Sequence, residues 1–300
     1  MSAATQMGDL PGAGLDAAAG PRRGRAWAAA FATPAGIIGL VLMAIVVAAA
    51  LISLFGLAPY SPSHQDVSLS LHAPDGAHWF GTDQFGRDIF SRVASGVANS
   101  LRIAIVSVAA AGVAGTLLGV LAGYYQGIVD RITGVITNVL FAFPSLLLAL
   151  ALAATLTRSW LTVSLSIAIV YMPIFARVSR APVLSLRSAD YVLASTAIGR
   201  RRLSTLFEHI LPNIRGILVV QVTLSLSWAI LTEASLSFLG FGTPPPAASL
   251  GGMVYDAQTL TSVAPWMLLF PGAAIIIAVI GLNLLGDRLR AALDPRTGGR

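Results

Sequence analysis

The side chains able to act as acids, bases or metal ligands are few: 13 carboxylates, 4 histidines and no cysteine in 300 residues. His64, His72 and His78 lie in one stretch, and three imidazoles can hold a metal. Their irregular spacing and the neighbouring prolines favour solvated loop residues, so no metal centre is expected. Asp83, Arg87 and Asp88 are spaced for a salt-linked turn, which either shapes a loop or meets another protein. No carboxylate pair and no serine–histidine set converges on one segment, so no catalytic constellation is expected. The absence of lysine rules out a G-x-x-x-x-G-K-[ST] phosphate loop, and the absence of cysteine rules out disulfides and thiolate chemistry.

The elements that must position these groups are membrane helices. Hydrophobic residues make up 56% of the chain and charged residues 11%, with a mean hydropathy of +0.79. A water-facing exterior carries roughly 25% charge, so the composition excludes a soluble domain, and equally a disordered chain. Crossing the bilayer takes roughly 20 apolar residues in a helix. Charge-poor intervals long enough are Ala26–Gln65 (centred on Pro34–Phe55), Ile103–Val129, Ile132–Thr157, Ser159–Ala176 and Ala257–Gly286. A further one, Gly216–Thr232, continues past Glu233 to about Phe241. The expected fold is therefore all-α, a bundle of six transmembrane helices. The first span reads as an uncleaved helix, and Met1–Arg25 as a flexible cytoplasmic tail.

Orientation follows from the 19 basic residues, all arginine. With the amino terminus inside, all but Arg87, Arg92, Arg102 and Arg158 fall on the cytoplasmic side, a strong positive-inside bias with both termini cytoplasmic. That placement accounts for the net charge of +6 without nucleic acid. Glu233 is then an ionisable group inside a span, where such groups usually have a function. Its two readings are a hydrogen bond to Ser235, Ser237 or an outer arginine, and a contact with substrate. Gly112, Gly115, Gly119 and Gly123 form a small-residue stripe suited to close helix packing. Pro144 and Pro173 interrupt the third and fourth spans.

The largest internal loop, about Arg177–Arg215, has its own pattern. Ser188 is placed to cap a helix with Asp190 in its first turn, and Gly199 to stop it in a left-handed cap. Leu203, Leu206, Phe207 and Ile210 form one apolar face of a second helix, which Pro212 ends or kinks. Arg200, Arg201 and Arg202, at the junction, suit either an acidic protein partner or anionic lipid.

This loop resembles the EAA loop of ABC importer permeases, whose pattern is Glu-Ala-Ala, three residues, Gly, nine residues, Ile, one residue, Leu-Pro. Leu193, Ala194 and Ser195 take the first three positions, Gly199 the glycine, His209 the isoleucine, and Leu211 and Pro212 the end. Leu193 and Ser195 depart from the pattern; the spacing does not. GTDQFGRDIFSRV at Gly81–Val93, with Gly81, Thr82, Asp83, Gly86, Arg87 and Asp88, is similar to a stretch of the C-type subunits of dipeptide, oligopeptide and nickel importers. So are EASLSFLGFG at Glu233–Gly242, Leu250–Met253 beyond it, and the ALDPR within Ala291–Arg296.

The resemblance implies a permease subunit, not an enzyme and without a cofactor, in the cell inner membrane. Its expected partners are a second homologous permease, two ATP-binding subunits, an extracytoplasmic substrate-binding protein and the lipid bilayer, with no nucleic acid. It implies docking of the ATPases through the loop at 188–212, within a permease domain at 97–287. The first span and outer loop would occupy 27–96, with tails at 1–26 and 288–300. The expected cargo is a dipeptide or oligopeptide, with nickel or glutathione as the alternatives. An ion-coupled secondary transporter is the rival of a different class; it needs intramembrane carboxylates, and Glu233 alone supports it poorly. A membrane enzyme is the second rival.

Overall fold

The computed structural model describes residues 31–293. The tail expected over Met1–Arg25 and the ALDPR stretch ending at Arg296 fall outside these residues or run beyond them. Among the described residues five helices are long and apolar enough to cross a membrane, or six when a bent pair is taken as one span.

Helix α1 spans Pro34–Leu54, started by Thr33, whose hydroxyl accepts from the Gly36 N–H, and by a proline in its first turn. Its mean hydropathy reaches 3.0, yet little of it is buried. It touches the bundle where Gly39 meets Leu284 and Leu285, and Leu42 and Met43 meet Gly281. Ile37, Ile38, Val41 and Ile45 face outward, as lipid-facing side chains do.

Helix α2 runs from Ile89 to Tyr125. At 37 residues and 1.5 Å per residue it is about 55 Å long, more than the bilayer's hydrocarbon. It therefore starts well before the expected Ile103. Its first turns, which carry the buried Arg92, are enclosed by protein, and Arg102 beyond them is exposed. Helix α3 (Gly127–Phe141) and helix α4 (Ser145–Thr155) form the bent pair, 91° apart. Pro144 lacks the N–H a continuing helix needs and pushes the residue before it out of the helical region. The third span is thus broken rather than straight.

Helix α5 covers Trp160–Leu186, past the expected end at Ala176, and contains Pro173 and Pro182. The glycine stripe of α2 lies against it. A Cβ on Gly115 would stand 2.3 Å from the Met172 carbonyl, and one on Gly119 2.2 Å from the Ala176 carbonyl. The stripe lets the two backbones touch within the chain. After the cytoplasmic segment, α8 spans Leu211–Phe238; α9 is the short outer helix Leu250–Ala257, and α10 spans Trp266–Leu293. The core joins α2, α5, α8 and α10 through side chains such as Ile103, Ile167, Phe175 and Ile230. Polar ties run between helices inside it: Ser227 donates to Asn283 Oδ1 at 2.7 Å, and the Tyr171 and Thr232 hydroxyls lie 2.8 Å apart.

Candidate functional site

The cytoplasmic segment folds as a knob of two short pieces. Helix α6 is Asp190–Ala197, and α7 is Arg202–Thr205, continued by a π turn over Leu206–Ile210 into α8. Ser188 does not cap α6: Ala189 is the cap residue and the Ser188 hydroxyl donates to the Ser185 carbonyl. Gly199 ends the helix at φ +80°. The Arg200 N–H reaches back to the Ser195 carbonyl at 3.2 Å and the Gly199 N–H to that of Thr196 at 3.0 Å. This is the paired closure of a Schellman turn, which favours glycine because a Cβ is strained there.

The Ser195 and Thr205 hydroxyls, both buried, lie 3.2 Å apart and fasten α6 to α7. Leu206 and Ile210 are buried with Ile214, Val183 and Val120, which roots the knob in α2, α5 and α8. Leu203 and Phe207 are exposed instead of sharing that face. The π turn is the reason: bonds to the fifth residue widen the turn, so positions four apart align and positions three apart do not. Pro212 does not end the element: it follows directly on the π turn as the second residue of α8, and the helix runs on from Arg202 to Phe238. Leu193 and Ile198, the latter 81% exposed, are uncovered apolar side chains of the knob, as are Leu203 and Phe207. Arg200 pairs within the chain, Nη2 to Glu208 Oε2 at 2.7 Å, with His209 Nε2 3.4 Å from Nη1. Arg201, Arg202, Ala194 and Pro212 are exposed.

The outer loop is a compact cap. Asp83 accepts from the Phe85 and Arg87 N–H groups at 2.9 and 3.0 Å, and from Arg87 Nε at 2.6 Å. Asp88 caps α2, accepting the Ser91 N–H at 2.8 Å, and pairs with His78 Nδ1 at 3.0 Å. His78 is therefore not a solvated loop residue: it is buried and stacked on Tyr60. His64 and His72 are exposed, and no metal-binding group of three is found among the described residues. Thr82 donates to the Leu69 carbonyl, and its own carbonyl accepts from Trp266 Nε1 at 3.1 Å. Gly86 has φ +70°, and a Cβ there would stand 1.7 Å from the Asp66 carbonyl oxygen. Gly81, at φ +72°, is closed in by His72 and Trp266.

Glu233 is fully buried on α8. Its carboxyl accepts from the Ser100 hydroxyl of α2 at 2.5 Å and the Ser237 hydroxyl at 2.7 Å. Of the expected partners Ser237 is there; Ser235 donates to the Leu231 carbonyl, and among the described residues no arginine pairs with Glu233. Sequence reasoning missed Ser100, and also Asp130 on α3, which pairs with Arg180 on α5. An aspartate beside a short turn in an apolar stretch was the available signal for the latter.

Membrane helices with exposed apolar side chains, a rooted cytoplasmic knob and a folded outer cap are what a transport subunit needs. Residues 115–299 match the family described as the binding-protein-dependent transport system inner membrane component. The chain belongs to this family.

Three relatives place it further. A dipeptide transport system permease protein of Alkalihalophilus pseudofirmus is 41% identical over 262 residues, 87% of this chain and 85% of the relative. A glutathione transport system permease protein of Pectobacterium atrosepticum is 41% identical, covering 88% and 87%. A probable D,D-dipeptide transport system permease protein of Escherichia coli is 41% identical, covering 81% and 82%. As a member of this family the chain is a multi-pass membrane permease component. It is not itself catalytic, since ATP hydrolysis in such systems belongs to separate subunits.

Proposed function

We propose that this chain forms half of the pathway of a small-peptide importer, and that 188–212 receives the motion of its ATP-hydrolysing subunits. The observation that carries the reading is the knob, rooted by Leu206, Ile210 and Ile214 while its tip at Ile198 is uncovered. An amphipathic helical element with an apolar tip suits a groove on a partner. The Ser195–Thr205 contact makes α6 and α7 move together. Displacement then passes through the continuous helix Arg202–Phe238 to Glu233, and from there to Ser100 on α2. It passes to α5 through the short link 187–189. ATP-driven closure outside the membrane would thereby tilt α5 and α8 as levers.

The partners on this reading are two ATP-binding subunits, a second homologous permease and an extracytoplasmic binding protein. A permease domain at 97–287 would follow a first helix and outer loop at 27–96. The relatives are named for dipeptides, D,D-dipeptides and glutathione, all small peptides, which supports the same class of cargo here. Uptake of labelled dialanine into cells carrying the whole system tests this, with excess dipeptide, glutathione or nickel as competitors. Dipeptide should compete best. Uptake should survive a protonophore while ATP is maintained and stop when ATP is depleted. The reverse dependence would make the chain an ion-coupled carrier.

A further inference from the structure

The positive-inside bias leaves four arginines outside, and the fold gathers three of them around one cavity. This cavity, of about 450 Å3, is lined by Arg87, Arg92 and Arg158, the Pro244–Pro246 wall, Tyr255 and Asp256. Arg102 is the exception, its guanidinium lying 3.4 Å from the centre of the Trp160 ring. Arg87 is bound to Asp83. Arg92 is only 5% exposed, and Nη1 donates to the Pro62 carbonyl at 3.0 Å. Its Nε stands 3.5 Å from Asp83 Oδ2 and has no hydrogen-bond partner among the described residues. Arg158 forms no ion pair among the described residues and lies 5.5 Å over the Phe241 ring. Among the described residues Asp256 is the one carboxylate in the lining.

Positive charge therefore exceeds negative in a walled cavity, an arrangement that concentrates anions. Guanidinium forks match the two oxygens of a carboxylate. The volume falls within the roughly 300–1,000 Å3 of small-molecule sites. It admits a short peptide, or one side chain of a protein seated on the outer face.

We propose that this cavity binds a carboxylate group, carried either by the C terminus of a short peptide or by an acidic side chain of a docked protein. The importer reading enters only in the choice of those two sources. Binding is measured without nucleotide or ATPase subunits, so its failure is separable from failure of the coupling role.

The test is calorimetric titration of the full chain in zwitterionic nanodiscs. The probes are dialanine, dialanine amide, and a glutamate-containing dipeptide amide whose sole carboxylate is on a side chain. A peptide source predicts binding of dialanine, about tenfold weaker binding of its amide, and no binding of the glutamate probe. A protein side-chain source predicts that the glutamate probe binds and dialanine does not; binding of both marks a general carboxylate site. In each case Arg158→Gln should weaken binding about tenfold, and Asp256→Asn should tighten it. Arg158 is exposed and holds no ion pair among the described residues, so its variant should melt as the wild type does. Binding of neither carboxylate probe, or binding that amidation and Arg158→Gln leave unchanged, overturns the proposal.

Discussion

Arg180 on α5 holds Asp130 on α3 by two parallel bonds, Nε to Oδ1 at 2.5 Å and Nη2 to Oδ2 at 2.8 Å. The pair ties the broken span to the helix that leads into the knob. Its side chains are 40% and 25% exposed, so solvent screens much of the attraction and about 1 kcal/mol of coupling is expected. A double-mutant cycle of Asp130→Ala and Arg180→Ala, read by thermal melting in detergent, should give that coupling. It should shrink in high salt.

Ser100 and Ser235 make a contrasting pair. The Ser100 hydroxyl serves a fully buried carboxyl, whereas that of Ser235 bonds to a carbonyl one turn back on its own helix. Ser100→Ala leaves Glu233 Oε2 without its donor and should cost about 1–2 kcal/mol. Ser235→Ala should stay within about 0.5 kcal/mol. Chemical denaturation of both variants in one detergent checks the order.

Two glycine substitutions should differ in sign. Gly86→Ala needs a left-handed backbone and places a Cβ against the Asp66 carbonyl, so it should cost about 2 kcal/mol or more. Gly134→Ala on α3 meets nothing within 4 Å. It should be neutral or stabilise by about 0.5–1 kcal/mol through helix propensity. Melting temperatures report both.

Burial pushes the Asp256 carboxyl above the ordinary carboxylate range, while Arg87 and Arg92 pull it back and Asp83 adds to the rise. An acid whose pKa is raised by folding binds more protons folded than unfolded, so its contribution favours the fold at low pH and is lost as pH rises through the folded value. Asp66, held down by the Ser68 hydroxyl and N–H, and Asp75, held down mainly by the His78 N–H, act in the opposite direction. The difference between wild type and Asp256→Asn isolates one group. Asp256→Asn should gain stability relative to wild type between the ordinary carboxylate pKa and neutrality, and the gain should vanish below it.

Much of this architecture was legible because lipid demands long apolar runs and the arginines mark their ends. Pro34–Leu54 and Trp266–Leu293 follow that logic closely. The start of α2 did not, because the charge-free stretch begins only after Arg102, while protein rather than lipid surrounds the turns before it. Asp88, three residues before Ser91, was the signal for the true start. In the knob, the glycine turn was readable from Gly199, whereas the π turn was not, since nothing in an apolar spacing announces i→i+5 bonding. Arg180 and Asp130 lie 50 residues apart and meet because the end of α2 packs on α5, with Gly123 against the Arg180 backbone. The cavity likewise depends on packing that brings Arg87, Arg158 and Asp256 together from three separate segments.

The chain contains no cysteine, so one introduced thiol reports one position. With Ile198→Cys at the tip of the knob, the assembled transporter can be oxidised in the presence and absence of ATP and probed for a disulfide to cysteines scanned along an ATP-binding subunit. Coupling through the knob predicts a cross-link there whose yield changes with nucleotide, and which stops dipeptide uptake until it is reduced. A transporter that imports dipeptide at full rate with Asp190–Arg201 deleted, and forms no such cross-link, would contradict it.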